Sequence, residues 1–209
     1  MNIRYESVSG VLNYTKGQNM FLLSIPFLIE ELHIRFPELK EIQIEKHYPY
    51  MLDVSLKTAP AVSKWKYSVG AGEGVPPVLG EGFVNESGMF FPNGDAKMAF
   101  FIEETVQREK VPEFSEVVIA PERLHDILWA KSELQGITGQ EIISAQYLRR
   151  AQEVHFMAKN GTIFWLFMNA PLTDQLEKLK RVLLEVNIFA KKVEYIDLRI
   201  SGKLIYKPS

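Results

Sequence analysis

The chain closes on VEYIDLRISGKLIYK, residues 193–207, and this stretch reads as a strand, a tight turn and a returning strand. Val193, Tyr195, Asp197 and Arg199 alternate with Glu194, Ile196, Leu198 and Ile200, the period of a strand with two different faces. Ser201-Gly202 supplies a two-residue turn, and residues 203–206 return. A terminal hairpin leaves one ladder of N–H and C=O groups with no later chain to pair it. Proteins blunt such edges or use them to capture a partner strand. The expected partner-binding residues are therefore Arg199, Ile200, Ser201, Gly202, Lys203, Leu204, Ile205 and Tyr206. Alternation puts Lys203, Ile205 and Lys207 on one face, so the lysines favour acidic residues in the partner. Arg199 either reaches such a carboxylate or pairs internally with Asp197 or Glu194. Replacing Ile205 with Pro is expected to remove an edge donor.

Working back along the chain, Leu172, Leu176, Leu179, Val182, Leu183 and Val186 mark an amphipathic helix. Before it, residues 153–158 and 163–167 alternate around Asn160-Gly161, a strong hairpin signal. Residues 142–147, 117–119 and 99–102 read as further strands, and residues 121–134 as a helix with Leu124, Ile127 and Leu128 inward. Residues 83–84 and 89–91 flank a turn at Asn85-Glu86-Ser87-Gly88, and Asn93-Gly94 marks another.

The first third of the chain has a different rhythm. Residues 3–9 read as an opening strand; Ser24 caps a helix with Pro26 in its first turn, and Leu28, Leu32 and Phe36 share one face. Pro37 stops it. Residues 41–46 and 51–56 are strands joined through Tyr48-Pro49-Tyr50. Pro60 ends this unit, and the Gly- and Pro-rich residues 66–82 read as a junction. Gly70-Ala71-Gly72-Glu73-Gly74 is no phosphate loop, because Val75-Pro76-Pro77 follows where a helix must open. The expected class is α+β: a small α/β domain over residues 1–66, then a larger mixed β-sheet domain with two helices over 67–209.

With 46% hydrophobic residues in 209, the chain can bury a real core. A net charge of -2 offers no footprint for nucleic acid. No cysteine is present, so disulfides and Cys-based metal sites are excluded. His33, His47, His125 and His155 lack metal-ligand spacing, and no Ser sits in a nucleophile elbow. Adjacent carboxylates, Glu30-Glu31 and Glu103-Glu104, point apart rather than share a proton. No catalytic residue, cofactor or metal is expected. Phe164, Trp165 and Phe167 form an aromatic strand in which Trp165 faces opposite its two neighbours; Trp165 is thus either a surface hot spot or a residue of core packing or cross-strand pairing. No apolar run reaches the ~18 residues of a membrane span, and MNIRYESV lacks the features of a signal peptide.

Several of these motifs fall in the order seen in one family. The chain resembles the FtsQ/DivIB bacterial cell-division proteins. Gly17, Asn19 and Phe21, then Phe36-Pro37, then Lys46, Tyr48 and Pro49, then Pro60-Ala61-Val62 match that family's polypeptide-transport-associated (POTRA) domain. FVNESGMFF, residues 83–91, is similar to the hairpin opening its β domain, and residues 193–207 match its closing strands. The segment between Gly10 and Gly17 is too short for the family's first POTRA helix, and Lys57-Thr58 replaces a common acidic-basic pair. The resemblance implies a non-enzymatic divisome scaffold outside the cytoplasmic membrane, anchored by a single span absent from these residues. It implies that FtsB/DivIC-like and FtsL-like partners add a strand to the terminal edge, and that other divisome proteins dock on the POTRA domain. It brings no nucleic acid. A cell-wall enzyme with a cleft between the units, or another POTRA-bearing secretion protein, are the competing readings.

Overall fold

A computed structural model describes residues 10, 12–13, 16–36, 39–70, 76–92, 99–186, 188–190 and 192–208. The fold is α+β. Helix α1 (Ile25–Arg35) starts with the Ser24 hydroxyl accepting from the Phe27 N–H at 3.4 Å and a proline in its first turn. Its Leu28 and Leu32 are buried, and the Phe36 N–H closes it on the Leu32 carbonyl. Strands β1 (Leu39–His47) and β2 (Met51–Thr58) pair antiparallel as a separate two-stranded sheet, with Ile42 opposite Leu56 and Ile44 opposite Val54. Leu32 and Leu39 form a small core with Leu12, Phe36, Ile42, Ile44 and Leu56 packed around them. The expected strand at residues 3–9 lies outside the described residues.

Strand β3 (Ala61–Val69) already belongs to the other sheet. The junction expected at residues 66–67 thus falls inside a strand, and the change of sheet comes at residues 59–60. Burial explains the continuation: Ser63, Trp65 and Tyr67 alternate inward, and Trp65 sits fully buried in the larger core. The remaining strands are β4 (Val78–Asn85), β5 (Phe90–Phe91), β6 (Phe101–Glu104), β7 (Ile142–Leu148), β8 (Glu153–Ala158), β9 (Ile163–Phe167), β10 (Val193–Asp197) and β11 (Ile205–Pro208). They order as β11-β10-β9-β8-β7-β6-β3-β4-β5.

Parallel neighbours need a long crossover, and helices supply two of them. Helix α2 (Pro121–Thr138) joins parallel β6 and β7, and α3 (Leu172–Glu185) joins parallel β9 and β10. Both lay their apolar stripes on one face of the sheet. Leu124, Ile127 and Leu134 of α2 and Leu176 and Leu179 of α3 share a core with Phe156, Phe164, Leu166 and Ile196. α2 runs past the expected end at Leu134 to Gly139, whose φ of 66° lets it close the helix on the Gln135 carbonyl. Residues 117–119 make only a single bridge, Val117 to Met89, rather than the expected strand. They are drawn instead alongside β5, with Val118 and Ile119 buried.

Candidate functional site at the sheet edge

The two ends of the nine-stranded sheet differ. At one end β5 is covered: the Phe90 N–H donates to the Glu116 carbonyl at 2.8 Å, the Ser115 N–H to the Phe90 carbonyl, and the Val118 N–H to the Gly88 carbonyl. Arg108 holds this cover, donating to Glu116 at 2.9 Å and to buried Glu104 at 2.7 Å. At the other end β11 is outermost and all its residues are exposed.

The path into β11 departs from a two-residue hairpin. β10 stops at Asp197 and β11 starts at Ile205, so residues 198–204 all lie in the connection. Side chains have taken the backbone groups that would have extended the ladder. The Lys178 ammonium of α3 donates to the Leu198 carbonyl at 2.7 Å and to the Ile200 carbonyl at 2.6 Å. Partial burial holds its pKa below the ordinary lysine value. The Arg199 N–H turns back onto Asp197 Oδ1, and Gly202 adopts φ 69° before the chain re-enters the sheet.

Arg199 is committed inside the molecule. Its Nε and Nη2 donate to the two Asp197 oxygens at 2.9 and 2.7 Å, and Nη1 donates to Glu153 at 2.7 Å. The hydrogen bonds from Arg199 hold the Asp197 carboxyl below the usual carboxylate range and, reciprocally, push the guanidinium up. Of the alternatives open in the sequence, internal pairing with Asp197 is therefore the one observed, with Glu153 rather than Glu194 as the second acceptor. Glu194 pairs with Lys207 at 2.6 Å.

The Arg199 guanidinium also lies over Trp165, 4.7 Å from its ring centre. Trp165 stacks against Tyr195 at 4.4 Å and against His155 at 5.1 Å, so it packs across three strands of the face that the helices leave uncovered. This ladder braces β8, β9 and β10 directly behind the edge. Sequence alternation placed Trp165 on this face; nothing in the sequence pointed to Glu153 as an acceptor for Arg199 or to Lys178 as the donor to the Leu198 and Ile200 carbonyls.

The remaining expected site residues divide by position. Ile200, Ser201, Gly202 and Lys203 lie exposed in the connection, and Leu204 packs partly against the core. Ile205 and Tyr206 lie in β11. Lys203 thus precedes the strand and does not continue the face of Ile205 and Lys207.

Hydrogen bonding orients the edge. The Leu198 N–H donates to the Trp165 carbonyl of β9, so by alternation Ile196 also faces β9 while Tyr195 and Asp197 direct their backbone groups to β11. Their partners are Lys207 and Ile205. Ile205 and Lys207 are therefore bonded inward, and Tyr206 directs its N–H and C=O outward. The expectation that Ile205 supplies the free donor is corrected to Tyr206. Pro208, next in the outward series, lacks a donor and offers only its carbonyl.

Among the described residues no group of three or more His, Asp or Glu side chains is placed to hold a metal ion. No helix among them is long and apolar enough to cross a membrane. No family model matches the chain, and no curated protein matches it.

Proposed function

We propose that this chain is a non-enzymatic scaffold of the FtsQ/DivIB type, docking division-protein partners outside the cytoplasmic membrane by strand addition to β11. The observation that carries the reading is the asymmetry of the sheet: residues 115–118 cover the β5 edge, and among the described residues nothing pairs with the outer side of β11. An extended segment satisfies the outward groups of Tyr206 and the Pro208 carbonyl, and backbone pairing supplies affinity with little demand on sequence. The brace of Lys178, Arg199 and Trp165 keeps that edge in place before the partner arrives, which lowers the ordering cost of binding. The resemblance supplies the partner class, an FtsB/DivIC-like subunit with an FtsL-like companion, together with a single-pass anchor and a role for the POTRA-like unit in docking other division proteins.

Tyr206→Pro tests the reading. It removes the outward N–H at a position where an edge strand tolerates proline. Binding of the soluble segment of the cognate FtsB/DivIC-like subunit, measured by calorimetry, should weaken by about tenfold or more. Tyr206→Ala keeps the N–H and should retain most of the affinity. Equal affinities for the two variants, with circular dichroism unchanged, refute docking at this edge.

A further inference from the structure

Among the described residues, a set of exposed apolar side chains gathers where two turns of the first unit meet. The first is residues 19–22, where Asn19 Oδ1 accepts from the Phe21 N–H at 2.9 Å and the Asn19 carbonyl accepts from the Leu22 N–H. The second is the β1–β2 turn with Tyr48, Tyr50 and Met51. Phe21 and Tyr48 stack at 4.7 Å, and the Lys46 ammonium donates to the Leu23 carbonyl at 2.7 Å, fastening one turn to the other. The apolar side chains are thus held outward by ordered turns. Leu22 is 83% exposed, Tyr50 90% and Phe21 75%, with Tyr48 and Met51 also exposed.

Charge is arranged in order behind this tip. Residues 19–23 and 47–52 contain no Asp or Glu. The first carboxylates, Glu45 and Asp53, face each other across β1 and β2, and His47 lies 3.8 Å from Glu45. An apolar cap carrying tyrosine hydroxyls therefore sits on a collar of both signs, with Lys46 beside the carboxylates of Glu45 and Asp53. The cap offers five side chains, whereas a stable protein interface engages about 20–30 residues a side. A second copy or a folded partner finds too little area here. A bilayer sets no such area, because tyrosine and phenylalanine rings enter its interfacial layer one by one.

We propose that the tip formed by Phe21, Leu22, Tyr48, Tyr50 and Met51 docks on the surface of a lipid bilayer, inserting among zwitterionic headgroups. The mixed-sign collar complements headgroups that carry both charges, so binding depends on apolar burial and only weakly on salt. The inference is independent of the β11 reading and survives its failure.

Co-sedimentation of the full chain with phosphatidylcholine vesicles tests it. The wild type should bind at low and at high salt alike. The Phe21→Ser/Tyr50→Ser double variant should lose at least about tenfold in partitioning. Leu22→Ser/Met51→Ser provides a second variant that spares the Phe21–Tyr48 stack and so guards against misfolding. In a Tyr50→Trp variant, emission should shift to the blue on adding vesicles, and dibrominated phosphatidylcholine should quench it. Absence of vesicle binding, or binding by both double variants as strong as that of the wild type, overturns the proposal. Dimerisation in lipid-free buffer that the same substitutions abolish also overturns it, assigning the tip to a second copy.

Discussion

Glu153 accepts from two donors at one oxygen: His155 Nε2 at 3.0 Å and Arg199 Nη1 at 2.7 Å. Burial lowers the His155 pKa below its ordinary 6.5; Glu153 opposes that shift and nearby Arg199 adds to it. The folded imidazole therefore holds a proton less well than the unfolded one. The linked stability is fully present above the unfolded pKa and is lost as pH falls below about 6.5. The urea midpoint at about pH 5.5 should lie below that at about pH 7.5, and His155→Gln should flatten this difference. An identical pH slope in the variant would show that another group titrates. Asp197 works in the opposite range. Its lowered pKa stabilises the fold above the ordinary carboxylate value and is lost only in stronger acid.

At the scale of elements, the contrast between the two sheet edges depends on a single glycine. Gly88 has φ 70°, and a Cβ there would fall inside contact distance of the Ile119 carbonyl oxygen. It is the residue that lets residues 115–119 lie against the β4–β5 turn. Gly88→Ala should cost about 3 kcal/mol, combining left-handed strain with a backbone clash. Urea denaturation followed by tryptophan emission reads the cost. The variant should also aggregate at high concentration, because loosening the cover opens a second edge. A stable, monomeric Gly88→Ala protein would show that the cover is held by Arg108 and its carboxylates alone. The turn itself was legible beforehand, since Asn85 and Gly88 bracket it. The cover was not, because residues 117–119 read as a separate strand and nothing local shows that residues 115–118 find β5 through space.

Across the described residues, apolar side chains gather in two clusters. Leu32 and Phe36 belong to one; Leu179 and Leu183 belong to the other. Trp65, Trp129 and Trp165 are all in the larger unit, so tryptophan emission reports that unit alone. Leu32→Ala removes a fully buried side chain from the small cluster and should cost that unit about 2–5 kcal/mol. Hydrogen exchange should quicken in α1, β1 and β2 while the tryptophan transition keeps its midpoint. A midpoint that shifts with Leu32→Ala would show the two clusters unfolding together.

The sequence alone determined what depends on neighbours along the chain. β8, β9, α1 with its Ser24 cap, and the paired strands β1 and β2 were readable because period and turn chemistry are local. So was the existence of a terminal edge. Tertiary structure decided which sheet β3 joins, since Tyr67 falls in a stretch that reads as a junction until a core exists to bury it. It also decided the register of the edge. Lys178 reaches Leu198 and Ile200 from a helix twenty residues upstream, and Glu153 reaches Arg199 from β8. These contacts hold the connection that follows Asp197, and the register that sets Asp197 opposite Ile205 leaves Tyr206 rather than Ile205 facing outward. A strand's period is written in its own residues, but where its ladder stops is set by side chains that only folding brings within reach.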